Sequence, residues 1–227
     1  MKKFALIVAG GSGSRMKLSM PKQFIELCGK PILMHTIEAF YRFDHSLNFI
    51  LMLPAQQFDY WKQLCKKYDF TILHQVVAGG ETRFHSVKNG LSAIPEEGMV
   101  AIHDGVRPLV SHETIARCFD TAARYGNAIP CFPVYETVRQ IDGDTNAMID
   151  RSLLRLVQTP QVFSCSLIKK AFEQPFDPDF TDDASVLERT GAKIQLVEGN
   201  RENIKITDSL DLVIVEAIMK KYVSRNF

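Results

Sequence analysis

Two basic side chains follow a glycine-rich turn near the start of the chain, and their spacing suits phosphate binding. The apolar run 4–9 leads into the segment 10–14, with the sequence GGSGS, and Arg15 and Lys22 come next. Glycines allow backbone N–H groups to approach an anion closely. Arginine presents a planar fork of donors to phosphate oxygens, and lysine a compact charge. We therefore predict a triphosphate cradle, with nucleotide-binding backbone at Ala9, Gly10 and Gly11.

Three other interpretations of this turn compete with the triphosphate cradle. A dinucleotide fingerprint needs a third glycine and an acidic residue about 20 positions later. The chain has Ser14 after Gly13, and its next apolar run ends at Pro54 without an acid. A Walker loop needs Gly-Lys-Ser/Thr, whereas the sequence after Gly29 is Lys-Pro. A plain glycine turn beside solvated cations stays open on this segment alone.

The second glycine-rich segment and a single aspartate follow other predicted strands. Gly80 comes after the predicted strand 71–77, and Asp104 comes directly after the apolar run 99–103. Open α/β sheets bind ligands at the carboxyl ends of their strands. A carboxylate placed there, opposite a triphosphate, suits Mg²⁺, which takes few carboxylates and completes its shell with water and phosphate oxygens. An Asp that caps the next turn is the alternative for Asp104. Arg83 lies in the same glycine-rich segment as Gly80. For Arg83, a salt bridge within the protein is an equal alternative to contact with a ligand.

Length, composition and charge indicate an ordinary globular protein. The 227 residues are 46% hydrophobic and 23% charged, which suits one α/β domain over 1–227. A net charge of +1 gives no indication of a nucleic-acid or membrane partner, and no apolar run approaches the length of a membrane helix. The cysteines form no CxxC pair, so we expect reduced thiols in a cytoplasmic protein.

The pattern of apolar residues alternates between strands and amphipathic helices. This alternation predicts an α/β fold with a mostly parallel sheet. The predicted strands are 4–9, 48–53, 71–77, 99–103, 127–133, 193–197 and 203–206. The predicted helices are 31–43, 56–68, 112–125, 166–174 and 209–224, with a further helix opening at 181–183, for which Thr181 is the expected cap.

A different pattern occupies the segment 135–149. Gly143 and Asp144 form a turn signal between two strand-like runs, which predicts a β-hairpin. A hairpin that projects from an α/β domain leaves strand edges unpaired, and such edges favour a partner. We therefore predict a dimerisation arm at about 135–158.

Several motifs, in this order, resemble those of the sugar-phosphate nucleotidylyltransferases, in their cytidylyltransferase branch. They are GGSGSRM, MPKQF, VAGGETRFHSV, HDGVRP, ETVRQID, DRS, QTPQVF, TDDAS and ENIKIT. DRS, TDDAS and the arm with Thr137 resemble the methylerythritol-phosphate enzymes. GSRM, PKQF and TPQ are shared with ribitol-5-phosphate cytidylyltransferases, which are the alternative. A non-catalytic nucleotide-binding module on the same fold is the hypothesis from another class.

The resemblance implies a Rossmann-like three-layer α/β sandwich with a projecting β-hairpin arm, and a homodimer clasped by that arm. It implies CTP and a sugar-alcohol phosphate as substrates, with Mg²⁺ as cofactor held by Asp104. The implied catalytic residues are Arg15, Lys22 and Lys205. Gly80 and Ser86 are implied near the cytosine. The implied residues for the sugar phosphate are Arg107, Thr137, Arg151 and Thr159. The family commonly has Asp at Glu81, so no role is assigned to Glu81.

Overall fold

The structure is a computed structural model that describes residues 1–11, 20–95 and 97–223, without the side chains of 222 and 223. Arg15 therefore lies outside the described residues. The strands are β1 (Lys3–Val8), β2 (Glu26–Leu27), β3 (Lys30–Pro31), β4 (Asn48–Leu53), β5 (His74–Ala78), β6 (Met99–Asp104), β7 (Asn127–Pro133), β8 (Val138–Asp142), β9 (Thr145–Ile149), β10 (Arg155–Val157), β11 (Gln161–Ser164) and β12 (Leu196–Glu198). The α-helices are α1 (Ile32–Phe43), α2 (Phe58–Lys67), α3 (Arg83–Ser92), α4 (His112–Tyr125), α5 (Cys165–Ala171), α6 (Asp183–Glu188) and α7 (Ser209–Val223).

Strand β1 lies in the middle of the main sheet. It pairs in parallel with β4 on one side and β6 on the other, and β5 extends the sheet beyond β4 in the same direction. Beyond β6, β11 is antiparallel to both β6 and β7, and β10 pairs with the far end of β7. Strand β12 runs parallel to β7. The sheet is therefore mostly parallel, as the sequence predicts.

Helices cover both faces of this sheet because each central strand is apolar on both sides. In β1, Ala5 and Ile7 pack in the cluster that contains α1, α2 and α4. Phe4 and Leu6 point the other way, into the cluster that contains α3, α5 and α6. Continuous burial of a strand is typical of a parallel sheet covered on both faces. The predicted three-layer α/β sandwich is thus confirmed.

The hairpin predicted around Gly143 is present as a separate two-stranded sheet. Strands β8 and β9 pair antiparallel, and Gly143 has a positive φ of 54° at the turn. Large apolar side chains on it are open to solvent, among them Ile141 at 69% and Met148 at 70% exposure. After the hairpin, β10 returns to the main sheet beside β7.

Two local predictions were wrong. The segment 203–206 is not a strand. Its main chain is held at the Asn203 C=O, which accepts from the side chains of Arg107 and Gln158, and at the Ile206 N–H, which donates to the Val106 C=O. Helix α6 is capped by Asp182 rather than Thr181, because the Asp182 carboxylate accepts from the Ser185 N–H while the Ser185 hydroxyl accepts from the Asp182 N–H.

Among the described helices, none is long and apolar enough to cross a membrane.

Gly90 allows α3 to pack closely on the sheet, and its replacement supplies a test of this packing. A Cβ at Gly90 would lie 2.6 Å from Leu6 Cδ1 and 2.7 Å from Met52 Sδ, and both of these side chains are fully buried. Overpacking costs about 1–3 kcal/mol, whereas alanine improves helix propensity by about 1 kcal/mol. We expect Gly90→Ala to lower the free energy of unfolding in urea. Lys88→Ala, on the exposed side of α3, is the control and should change it little. An equally stable Gly90→Ala protein would contradict the close packing.

Candidate active site

The loops that follow β1, β5 and β6 meet at one edge of the sheet. Val8, the last residue of β1, is in register with Asp104, the last residue of β6. Parallel strands end at the same edge, so the residues that follow them converge there. A cavity of about 280 Å³ opens at this edge. Eight residues assigned to the site from sequence line it: Ala9, Gly10, Gly11, Lys22, Gly80, Ser86, Asp104 and Lys205.

The glycines at this edge differ in the space that the protein leaves for a side chain. A Cβ at Gly80 would lie 2.5 Å from His85 Cβ, so packing on the start of α3 excludes any side chain. A Cβ at Gly10 or Gly11 would meet, among described atoms, only Ser86 Oγ at 3.9 Å and Lys22 Cε at 3.6 Å. The described protein atoms therefore leave room for a ligand beside Gly10 and Gly11.

Hydrogen bonds fix the loop between β5 and α3. The Ser86 hydroxyl accepts from the Gly80 N–H at 3.0 Å and donates to the Thr82 C=O at 2.9 Å. Thr82 caps α3 by accepting from the His85 N–H. Ser86 thus shapes the loop, and the nucleotide-binding role assigned to Ser86 and Gly80 stays a prediction.

Gln23, which sequence reasoning did not single out, ties the segment after the first loop to β1. It is buried, and its amide donates to the Ala9 C=O at 2.8 Å and to Gln57 Oε1 at 2.9 Å. The Ala9 N–H donates to the Met52 C=O. Ala9 is therefore held on both sides by the protein, and its predicted contact with a nucleotide is not tested. A glutamine inside PKQF gives no sequence signal for this role.

Asp104 is the charged centre of the site. Among the described residues, three basic side chains lie within 4.0 Å of its carboxylate. Oδ2 accepts from Arg107 Nε at 2.9 Å and contacts Lys205 Nζ at 3.1 Å, while Oδ1 is 4.0 Å from Arg83 Nε. Burial acts to raise the pKa of Asp104, but Lys205, Arg83 and Arg107 together hold that pKa below its usual range. Asp104 is therefore an anion at neutral pH.

The two lysines assigned from sequence both line the cavity, and Lys22 contacts the residue that follows Lys205. Lys205 Nζ contacts Asp104, and Lys22 Nζ donates to the C=O of Ile206, the next residue, at 3.1 Å. Both ammonium groups thus border the cavity that Gly10 and Gly11 also line. Two cations and backbone glycines around one cavity form an arrangement that attracts a polyphosphate.

A buried chain of hydrogen bonds holds the backbone of Asp104. The Thr159 hydroxyl accepts from the Asp104 N–H at 3.1 Å and lies 3.0 Å from His103 Nδ1. His103 Nε2 lies 3.1 Å from the Arg107 C=O. Since a carbonyl only accepts, Nε2 carries the proton and Nδ1 accepts from Thr159. Neither His103 nor Thr159 reaches the described cavity lining.

Arg107 belongs to the same network of buried hydrogen bonds. Its guanidinium also donates to the Asn203 C=O at 2.8 Å, and the Asn203 amide donates to the Thr159 C=O at 2.7 Å. Asp104, Arg107 and Asn203 thus link β6 to the segment that carries Lys205. The sugar-phosphate roles assigned to Arg107 and Thr159 stay predictions, because their described contacts are within the protein.

Thr137 and Arg151 lie at the base of the hairpin. They flank the Val138–Ile149 pair that closes β8 and β9, and both are exposed. The Arg151 guanidinium donates to the Tyr135 C=O. Neither residue lines the cavity described within this chain. The structure therefore does not join them to Asp104, Lys22 and Lys205 within one chain.

A Rossmann-like sheet with a cavity lined by two lysines and by glycines at its carboxyl edge is the arrangement of a nucleotidyltransferase. The family model for 2-C-methyl-D-erythritol 4-phosphate cytidylyltransferase matches residues 4–221. The chain belongs to that family.

Similar proteins extend over almost the whole chain. A 2-C-methyl-D-erythritol 4-phosphate cytidylyltransferase from Bacteroides fragilis is 53% identical over 219 residues, which are 96% of this chain and 100% of the relative. The enzyme of that name from Geobacillus thermodenitrificans is 39% identical, covering 95% of this chain and 96% of the relative. The crystal structure of the Thermus thermophilus enzyme has a TM-score of 0.80 at 30% identity, covering 97% of this chain and 100% of that one.

The protonation of His103 gives a test of the buried support. Burial lowers the pKa of His103 from 6.5 to about 4. Between these values the unfolded chain binds more protons, so acidification reduces the free energy of unfolding, by at most about 3 kcal/mol at about 1.4 kcal/mol per pH unit. We expect the Cε1–H resonance of His103, assigned by its absence in His103→Asn, to stay in the neutral form at pH 5.5. Titration near pH 6.5 would contradict the buried neutral imidazole.

Proposed function

We propose that this chain transfers CMP from CTP to 2-C-methyl-D-erythritol 4-phosphate. Pyrophosphate is released and 4-diphosphocytidyl-2-C-methyl-D-erythritol is formed, as a step of non-mevalonate isoprenoid biosynthesis. The observation that carries this proposal is the cavity that Lys22 and Lys205 line beside the anchored Asp104, in a chain that matches this enzyme family over residues 4–221. We also propose that the enzyme acts in the cytoplasm, since its cysteines form no CxxC pair and reduced thiols are expected there.

The reaction is an in-line displacement at the α-phosphorus of CTP. A phosphate oxygen of the acceptor attacks and forms a new P–O bond, while the bond to the leaving pyrophosphate breaks. The attacking oxygen is already anionic, so no general base is required. The chain has instead to bring two anions together and to stabilise charge on the non-bridging and leaving oxygens.

The basic residues suit this task in different ways. Lys22 borders Gly11, and we assign it to the β- and γ-phosphates, where charge grows as pyrophosphate leaves. Lys205 lies beside Asp104, and we assign it to the α-phosphate. Arg15 is assigned to the triphosphate on its sequence position alone. A positioned donor of this kind contributes about 2.7–4 kcal/mol to the transition state in other enzymes.

The donor set around Asp104 fits Mg²⁺ as the cofactor. Oδ2 is used by Arg107 and Lys205, whereas Oδ1 has no hydrogen bond to any described residue. The described residues contain no group of three or more acidic, His or Cys side chains that could hold a metal ion, so phosphate oxygens and water would supply the other ligands. When bound, Mg²⁺ neutralises charge on the triphosphate. The chain itself supplies the carboxylate, held in place by Arg107 and by Thr159.

The acceptor site is completed, in this proposal, by a second copy of the chain. The support is the hairpin, whose apolar side chains are exposed and whose strands pair only with each other within the described residues. Exposed strand edges and apolar surface favour association. In a homodimer, Thr137 and Arg151 of one subunit enter the cavity of the other. Arg151 then holds the phosphate of the acceptor with two parallel hydrogen bonds.

A pyrophosphate-release assay on the purified protein tests the reaction. It crosses CTP, UTP, ATP and GTP with methylerythritol phosphate and ribitol 5-phosphate. We expect rapid release only with CTP and methylerythritol phosphate. A preference for ribitol 5-phosphate would show that this alternative acceptor is the substrate. No release with any pair, from a folded protein, would leave nucleotide binding without catalysis as its activity.

Arg151→Lys tests the acceptor contact. Lysine keeps the charge but cannot form the bidentate fork, so we expect the KM for methylerythritol phosphate to rise about tenfold or more, since lost charge-assisted hydrogen bonds cost about 1.5–3 kcal/mol. The KM for CTP should change little. Arg139→Lys, on β8 of the same hairpin, is the matched control and should leave both values near those of the unaltered enzyme. An equal rise in the KM for CTP would assign Arg151 to the nucleotide.

Mixed dimers test whether the site is shared between subunits. Arg151→Ala and Lys22→Ala each remove a different part of the site. After subunit exchange, some mixed dimers have one site with both residues intact, so part of the activity should return. Failure to restore activity, with subunit exchange demonstrated, would show that each site is built from one chain.

A further inference from the structure

A buried ion pair adjoins the site and has no part in the function described so far. Arg83 is the first residue of α3, and Asp183 is the first residue of α6. Arg83 Nη1 donates to Asp183 Oδ1 at 2.7 Å, and Nη2 donates to Oδ2 at 2.6 Å. The Asp183 side chain is fully buried, while Arg83 lines the cavity. The pair is therefore a bidentate ion pair between Asp183, which lies behind the cavity lining, and Arg83, which belongs to that lining.

The same guanidinium lies between two carboxylates. Its remaining nitrogen, Nε, is 4.0 Å from Asp104 Oδ1, beyond hydrogen-bond distance. Oδ1 is the oxygen of Asp104 that has no hydrogen bond to a described residue, since Arg107 and Lys205 both use Oδ2. Both terminal nitrogens of Arg83 are thus directed to Asp183, and Asp104, which lines the cavity, is left with one oxygen that has no hydrogen bond to a described residue.

We infer that Asp183 is a positioning residue that holds Arg83 away from Asp104 and so keeps Oδ1 of Asp104 available to a divalent cation. This inference rests on the proposed function, because the cation is the one that accompanies CTP. Asp183 touches neither nucleotide nor metal, and it acts through Arg83.

The surroundings of Asp183 are rigid enough for this role. Its neighbour Asp182 forms the capping box with Ser185, and the Ala184 N–H donates to Gln161 Oε1 at 2.9 Å. The Gln161 amide also donates to Asp182 Oδ2 at 2.6 Å. These bonds fix the start of α6 against β11. An arginine bonded at two points to a fixed carboxylate has little freedom to turn toward another.

Without Asp183, the nearest carboxylate to the guanidinium is Asp104. In Asp183→Asn, an NH2 group replaces one of the two carboxylate oxygens, so the side chain cannot accept the two parallel hydrogen bonds that Arg83 donates to Asp183. A small rotation would bring Arg83 onto Asp104 Oδ1. If the released guanidinium occupies Oδ1 about nine-tenths of the time, the apparent affinity for the cation falls about tenfold.

Calorimetry with α,β-methylene-CTP, a nucleotide that cannot be cleaved at the α–β linkage, measures this effect. The dissociation constant is determined in EDTA and in saturating Mg²⁺, and the ratio of the two is the gain from the metal. We expect Asp183→Asn to reduce this gain about tenfold and to leave the affinity in EDTA little changed. Asp177→Asn, which removes the acid of the surface pair with Arg189, is the matched control and should keep the full gain.

A second variant separates positioning from structural support. The double variant Arg83→Gln with Asp183→Asn removes both members of the buried pair, which proteins tolerate better than removal of one. Because the competing guanidinium is gone, we expect the metal gain to return to that of the unaltered protein. A double variant with reduced gain, or Asp183→Asn with full gain, would overturn the inference. If the unaltered protein binds the nucleotide with no gain from Mg²⁺, or does not bind it, the proposed function fails as well.

Discussion

The arrangement of the site depends on one buried carboxylate, that of Asp104, at the end of strand β6. Burying an ion without partners costs several kcal/mol, and partners with good geometry offset that cost. Arg107 and Lys205 bind one oxygen directly, and Arg83 lies 4.0 Å from the other. Through Arg107 and Asn203, the same charge fixes the extended segment that carries Lys205. The positions of Arg107 and Lys205 thus follow from one anion and from the strand that ends with it.

The support beneath Asp104 consists of neutral polar groups in a fixed order of donors and acceptors. The Asp104 N–H donates to Thr159, Thr159 donates to His103, and His103 donates to the Arg107 C=O. Protonation of His103 would require the Thr159 hydroxyl to turn its hydrogen away from Nδ1, and burial lowers the pKa of this imidazole to about 4. A neutral imidazole therefore holds the backbone of the site rather than exchanging protons with a substrate. A histidine that takes no part in proton transfer suits a reaction whose nucleophile is already charged.

The sequence predicted the α/β sandwich and the convergence of Gly11, Gly80 and Asp104, because residues that follow parallel strands meet at one edge of a sheet. The roles of Asp183, Gln23 and His103 were not predicted. Asp183 looks like an ordinary acid in the first turn of a helix, and a buried glutamine or histidine has no periodic signature. The segment 203–206 alternates like a strand, but hydrogen bonds from the side chains of Arg107 and Gln158 to the Asn203 C=O replace the pairing of a sheet. Contacts between residues far apart in sequence leave no local pattern.

The most direct test of the account is a magnesium titration of pyrophosphate release by Asp104→Asn. An amide is a poorer ligand than a carboxylate for a hard cation, and it also removes the anion that holds Arg107 and Lys205. The account predicts that the Mg²⁺ concentration for half-maximal rate rises and that the maximal rate falls. An unchanged titration curve with an unchanged maximal rate would contradict the central place of Asp104 in the site.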